Sequence, residues 1–227
     1  MIFVMLDLDI GMNHRLSRPL KWDDARQYDR GKVMTAEMLD DGRDFGRYLD
    51  VDGDGIPYRT YPGTHPTKGS FFTRGTSRDR YARYSEEGAV YADNMQRLVR
   101  KFETAQDMVP RPLQANAAKG QIVTGLLYVD PESEDLHSHL DRLRIRAFPF
   151  HSSVASFIAD HNFVYVVEQN RDAQLRSLIV NENGIDPVRL VPIVHYDGTP
   201  ITARFIAGAI GDHQDQLKLT PLRKVKS

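Results

Sequence analysis

The rhythm of the second half constrains this chain most. Residues 121–129 read as a strand, 131–143 as a helix and 144–148 as a short strand. A helix follows to Ala159, with Ser152 or Ser153 as its cap. Then come a strand over 163–167, a helix over 173–180, a strand over 190–194 and a helix from Thr202 to Ile210. Strand alternating with helix predicts an α/β fold on a parallel sheet with right-handed crossovers. Polar contacts on such sheets gather at the carboxyl ends of the strands. Glu168, Gln169, Asn170 and Arg171 stand at one such end, and His195, Tyr196, Asp197 and Gly198 at another.

The first half has a different texture. An apolar run over 2–6 leads into Asp7-Leu8-Asp9-Ile10-Gly11-Met12-Asn13, which reads as a buried strand and a polar turn. A strand of this kind wants neighbours on both sides. It is expected to close a sheet supplied by another chain or a further segment. Over 14–86 periodicity is weak, apart from a short helical candidate over 35–39, and Gly, Pro, Asp, Arg and Tyr dominate. So long an irregular stretch is uncommon in a compact domain. Its aromatics, from Tyr48 and Tyr58 to Phe71, Phe72 and Tyr84, predict that it wraps over a large partner surface. Residues 88–108 read as a helix with Tyr91, Met95, Leu98, Val99 and Phe102 on one apolar stripe, ended by Pro110 and Pro112. Small residues over 115–120 suggest a boundary. The predicted division is 1–113, 114–212 and a basic tail over 213–227.

Composition excludes whole classes of function. The 227 residues suffice for a core without covalent staples. There is no cysteine, which removes disulfides, thiolate nucleophiles and the usual iron–sulfur ligands from this chain. Thirty basic and 31 acidic residues give a net charge of −1, which argues against a nucleic-acid partner. No apolar run approaches the roughly 20 residues of a membrane helix, and no secretory leader is visible. The expected setting is cytoplasmic, away from membranes.

Local motifs carry competing readings. Asp50-Val51-Asp52-Gly53-Asp54-Gly55 begins like a calcium loop, but the twelfth position is Tyr61, not Glu, and Pro57 interrupts it. The plainer reading is an Asp/Gly turn whose carboxylates cap backbone amides. Gly53-Asp54-Gly55 resembles the start of a thiamine diphosphate–magnesium motif, yet the next Asn is the distant Asn94 and no apolar strand leads in. The loop from Gly63 to Gly69 places Lys68 before the second glycine, which a phosphate loop does not. Still, Lys68, Arg74, Arg78, Arg80 and Arg83 face only Asp79 and Glu86 over 63–86. That balance suits carboxylates or phosphates, and equally an interface rich in Arg and Tyr. His137 and His139 point to different faces of a predicted helix. His151 and His161 look structural, and His195 is the more interesting histidine. Neither a G-x-S-x-G elbow nor an H-E-x-x-H pair occurs.

Several segments together resemble one family. Residues 4–13 are similar to the last strand of the pyrimidine-type domain in the alpha subunit of 2-oxoacid:ferredoxin oxidoreductases, of the 2-oxoglutarate type. The likeness continues through Asp29-Arg30-Gly31-Lys32-Val33, Phe45-Gly46-Arg47-Tyr48 and the stretch 50–60. It runs on through Pro62-Gly63-Thr64-His65-Pro66, Phe72-Thr73-Arg74-Gly75 and 81–86. In the second half, residues 144–150, 164–172 and His195-Tyr196-Asp197-Gly198-Thr199-Pro200-Ile201 match again.

The resemblance implies a transketolase C-terminal-like parallel-sheet domain, preceded by the last strand of a pyrimidine-type domain and a long irregular wrapping segment. It implies oxidative decarboxylation of a 2-oxoacid with coenzyme A, giving acyl-CoA, carbon dioxide and reduced ferredoxin. Thiamine diphosphate, magnesium and the iron–sulfur cluster are then expected on the beta subunit, with none held by this chain. His65, Thr73, Arg74 and Arg78 are the expected anion contacts. Glu168, Gln169 and Asn170 are expected as strand-end polar contacts near the subunit interface. The expected partners are the beta subunit, upstream alpha and gamma-like domains and, indirectly, ferredoxin. The family carries a longer segment after Leu143, so catalysis by this chain alone is not expected. The alternative reading is a non-catalytic remnant or a stand-alone interaction module.

Overall fold

A computed structural model of the chain describes residues 11–12, 14, 16–117, 124–128 and 140–219. The opening run over 2–10 and the predicted helix over 131–139 lie outside the described residues. The chain divides into two compact units, Met1–Ala105 and Gln106–Ser227.

In the first unit, helix α1 (Ala36–Asp40) starts at Thr35, whose hydroxyl accepts from the Met38 N–H at 3.4 Å. Helix α2 spans Gly88–Ala105. The remainder is mostly turns and loops, tied by isolated bridges such as Val33 to Arg59. Among the described residues, Met34, Leu39 and Ala82 are the buried apolar side chains of this unit. Polar bonds must therefore do much of the holding. The Arg97 guanidinium donates to the Gly55 carbonyl at 3.0 Å, and the Thr104 hydroxyl donates to the Asp54 carbonyl at 2.6 Å. Arg80 grips Asp93 with two bonds of 2.8 and 2.6 Å. Arg100 faces Asp50 at 3.3 Å.

Helix α2 carries the expected apolar stripe and ends at Ala105, but the stripe is not what the irregular segment packs on. Tyr91, Met95 and Val99 are 51, 38 and 54% exposed, while Arg97 is only 7% exposed. The irregular segment has few aliphatic side chains to offer, so it docks on the polar side of α2 with carbonyls and carboxylates. Gly55 makes that docking close. Its φ is +77°, and an added Cβ would lie 2.3 Å from the Lys101 nitrogen and 2.7 Å from the Arg97 oxygen. Only glycine accepts both constraints. The aromatics divide: Tyr48 and Tyr58 stack with the chain's own cations, whereas Phe72 is 79% exposed.

The second unit carries a five-stranded sheet in the order β1-β3-β2-β4-β5. Strands β2 (Thr124–Tyr128), β3 (Asp141–Arg144), β4 (Phe163–Glu168) and β5 (Leu190–Val194) run parallel, and β1 (Leu113–Ala115) pairs antiparallel with β3. The mixed α/β class and the parallel sheet agree with expectation. Strand β4 has neighbours on both sides and alternates its side chains between two cores. Val164 and Val166 join Leu143, Val154, Phe157, Ile158 and Ile179 on one face. Tyr165 and Val167 join Ile193, Ile201, Ile206 and Ile210 on the other. Helices α3 (Ser153–Ala159) and α4 (Gln174–Asn183) thus cover one face, and α5 (Ala203–Leu219) the other. Pro192 is tolerated because β5 pairs on one side only.

Three expectations shift. Leu143 is not the end of a helix but the buried residue of β3, paired with Leu127 on one side and Gln114 on the other. The strand predicted over 144–148 accordingly ends at Arg144. Helix α5 runs to Leu219, past the predicted end at Ile210; Thr202 Oγ1 accepts from the Phe205 N–H at 3.2 Å at its start. The separate basic tail from 213 is therefore helical over its first residues.

Candidate functional site

The predicted anion-binding residues are spread over the first unit. Arg78 lines a cavity of about 150 Å³ with Tyr48, Ser77, Asn94 and Arg97. His65 lines a separate one of about 330 Å³ with Lys68 and Phe71. Thr73 is half-buried and Arg74 exposed, and neither lines these two cavities.

The His65 ring is spoken for. Its Nδ1 accepts from the Thr67 and Lys68 backbone N–H groups at 3.1 and 2.9 Å. Nε2 is thereby left to donate to Asp40 Oδ1 at 3.1 Å. The Lys68 ammonium also reaches Asp40 (2.9 Å) and the Leu39 carbonyl (3.1 Å). That Lys68 bond, more than the neighbouring His65, holds the Asp40 carboxyl below its ordinary range. The cluster ties the 61–69 loop to the end of α1.

The Arg78 cavity is different. One Arg78 nitrogen donates to the Tyr48 hydroxyl at 3.1 Å and another to the Gly75 carbonyl at 2.6 Å. The guanidinium groups of Arg78 and Arg97 lie 5.6 and 5.8 Å from the centre of the Tyr48 ring. Neither has a carboxylate partner among the described residues. Burial pushes Arg97 below the ordinary guanidinium value, against the field of Asp50. Ser77 Oγ, Asn94 Oδ1 and Arg97 Nε are all buried without a hydrogen-bond partner. Each such atom costs about 1–3 kcal/mol if left bare, so the three mark a place for a polar guest or ordered water. Two cations and a free acceptor suit a small oxyanion that also carries a hydroxyl. Its lining of Arg78, Arg97, Ser77, Asn94 and two tyrosines, Tyr48 and Tyr91, suits the binding of such an anion.

Tyr48, Ser77, Asn94 and Arg97 escaped the sequence reading as site residues. Local signals do not find Arg97: its partner Gly55 is 42 residues away. The Asp50–Asp54 turn follows its plainer reading. Lys32 Nζ sits 2.7 Å from Asp52 and 2.6 Å from Asp54, and Asp50 accepts from the Gly53 N–H at 3.0 Å. Each carboxylate thus has a protein partner. Among the described residues, no group of three or more His, Asp or Glu side chains is placed to hold a metal ion.

In the second unit, the Glu168 carboxylate is buried and caps α4. It accepts from the Leu175 and Arg176 N–H groups at 2.7 and 3.1 Å, and from Asn170 Nδ2 at 2.7 Å. Asn170 Oδ1 accepts from the Asp172 and Gln174 N–H groups. These two residues spend their bonds inside the chain, while Gln169 is exposed. His195 packs edge-on to Phe205 (4.8 Å) with Nε2 3.4 Å from Asp197, and its buried Nδ1 has no partner. His161 faces two acceptors, the Phe157 carbonyl at 2.5 Å and Asp141 at 3.1 Å, and is structural. No helix among the described residues is long and apolar enough to cross a membrane.

No family model matches the chain, and no curated protein matches it. Among solved structures, it is similar to 2-oxoglutarate:ferredoxin oxidoreductase from Magnetococcus marinus, determined with 2-oxoglutarate, coenzyme A and succinyl-CoA bound. The TM-score is 0.64 at 17% identity, over 76% of this chain and 31% of that one. The chain therefore spans about a third of the length of that relative and shares its fold over most of its own.

Proposed function

We propose that this chain is the C-terminal portion of the alpha subunit of a 2-oxoglutarate-type 2-oxoacid:ferredoxin oxidoreductase. The observation that carries the reading is the fold likeness over 76% of the chain, joined to the ordered run of motifs from Asp29 to Ile201. In this reading the second unit is the transketolase C-terminal-like domain, and the first is the end of a pyrimidine-type domain with its wrapping connection. The assembled enzyme oxidises a 2-oxoacid with coenzyme A to acyl-CoA and carbon dioxide and passes two electrons to ferredoxin in the cytoplasm. Thiamine diphosphate, held with magnesium and the iron–sulfur cluster by the beta subunit, supplies the carbanion stabilisation that decarboxylation requires. This chain contributes shape and charge. Arg78, with Arg97 beside it, offers carboxylate-free guanidinium groups. Thr73 and Arg74 are further anion contacts in this reading, alongside His65, and Glu168, Gln169 and Asn170 are strand-end polar contacts near the subunit interface.

The test is an assay of ferredoxin reduction by the chain combined with its cognate beta subunit and upstream alpha domains. Reduction that requires both 2-oxoglutarate and coenzyme A supports the reading. An assembled complex inert with every 2-oxoacid overturns it. The alternative, a non-catalytic remnant or stand-alone interaction module, is favoured by the exposed apolar side chains of the first unit, Phe72 at 79%, Val99 at 54% and Tyr91 at 51%. A chain that binds no such beta subunit yet captures another protein would select it.

A further inference from the structure

The Arg78 cavity is more selective than its charge alone implies. Ser77 Oγ, Asn94 Oδ1 and Arg97 Nε are buried without a hydrogen-bond partner, and all three residues line it. Arg97 is itself only 7% exposed. The orientation of the Asn94 amide is fixed, because its Nδ2 donates to the Arg78 carbonyl. Its Oδ1 is therefore the end left over, an acceptor that needs a donor. Arg97 Nε is a donor that needs an acceptor, and the Ser77 hydroxyl can act as either.

The charge to be met is small. Asp50 and Asp93 act on the Arg97 guanidinium from beyond the cavity wall, although their own ion pairs are with Arg100 and Arg80. The side-chain partners of Arg78 are the Tyr48 hydroxyl and the Gly75 carbonyl, and neither carries charge. That balance calls for a guest with one negative charge. A volume of about 150 Å³ is well below that of sites for drug-sized molecules, so the guest has few heavy atoms. Tyr91, Met95 and Leu98 offer apolar surface for a short carbon chain. We infer that this cavity binds a small 2-hydroxycarboxylate and prefers it to the corresponding 2-oxo acid. The carboxylate accepts from Arg78 and from Arg97 Nε. The hydroxyl donates to Asn94 Oδ1 and accepts from Ser77. A keto oxygen can only accept, so a 2-oxo acid would leave Asn94 Oδ1 bare and set a second acceptor against it. Such a guest is a molecule that the proposed reaction neither consumes nor forms. The inference rests on the cavity and does not depend on the oxidoreductase reading.

The probes are L-lactate, D-lactate, pyruvate, acetate and lactamide, each titrated calorimetrically into the full 227-residue chain. At least one lactate enantiomer should bind saturably at a single site. Pyruvate, which lacks the donor, acetate, which lacks the second oxygen, and lactamide, which lacks the charge, should each bind about tenfold more weakly. Asn94→Ala should bring lactate and pyruvate to equal affinity, because the acceptor that separates them is gone. Arg78→Gln should weaken both alike and preserve their ratio. Circular dichroism of each variant separates lost binding from lost folding, and the comparison of ligands on the wild-type chain needs neither variant. Absence of saturable lactate binding to the folded wild-type chain overturns the inference. Pyruvate or acetate binding as tightly as lactate overturns the requirement for a hydroxyl, and lactamide binding as tightly overturns the requirement for a carboxylate. A lactate-to-pyruvate ratio unchanged in folded Asn94→Ala overturns the role of Asn94.

Discussion

The Arg97 guanidinium donates to the carbonyl oxygen of Gly55 at 3.0 Å, across 42 residues of sequence. This bond joins α2 to the Asp/Gly turn in a unit where, among the described residues, Met34, Leu39 and Ala82 are the buried apolar side chains. The contact is possible because Gly55 brings its backbone against that of α2.

Gly55→Ala should therefore be far more damaging than Gly53→Ala. Both glycines have positive φ, +77° and +80°, but only at Gly55 would the new Cβ strike backbone atoms. Strain alone predicts a loss of about 1 kcal/mol for Gly53→Ala. Strain plus overpacking predicts about 3 kcal/mol or more for Gly55→Ala. Urea unfolding compares the two. Equal losses would mean that the turn does not pack on α2 as described.

The Lys32–Asp52–Asp54 cluster predicts a pH dependence. The Lys32 bond holds Asp52 below the ordinary carboxylate range. Burial pushes Asp54 up, but the Lys32 and Ile56 bonds outweigh it and the net direction is down. Carboxyls depressed in the folded state stabilise it above about pH 4, and that contribution is lost as the pH falls through their folded values. Burial lowers the Lys32 ammonium while its two carboxylate bonds raise it, leaving it above 10.5. Its contribution is complete below that value and lost as the pH rises through the folded one. Thermal unfolding should show both losses, and Lys32→Gln should flatten both. An unchanged acid limb in Lys32→Gln would contradict the pairing.

Glu168 should matter to the start of α4. Removing its carboxylate leaves the Leu175 and Arg176 N–H groups without their acceptor. Glu168→Ala is expected to cost about 3 kcal/mol and Glu168→Gln about 1 kcal/mol. Faster hydrogen exchange at those two amides is the local signature. Unchanged exchange in Glu168→Ala would show that another group caps the helix.

Legibility in the sequence tracks the range of the interactions. Strand β4 is visible because Phe163-Val164-Tyr165-Val166-Val167 is apolar on both faces, as a central strand must be. Strand β1 is invisible because Leu113, Gln114 and Ala115 are an exposed three-residue edge without periodicity. Strand β3 hides among Asp141, Arg142 and Arg144, with Leu143 alone buried. Its signal is the pairing with β1 and β2, which no local window contains. The same holds for the candidate site. Arg78 stands out in a basic run, but Asn94 and Arg97 read as ordinary polar positions on a helix. Only the fold brings Tyr48 and Ser77 beside them.

The proposed place of this chain in a larger oxidoreductase requires a stable contact with a beta subunit. Light scattering after size-exclusion chromatography of the chain with its cognate beta subunit tests it most directly. The account predicts a stoichiometric complex that neither protein forms alone. A chain that elutes apart from the beta subunit, unchanged by its presence, would contradict it.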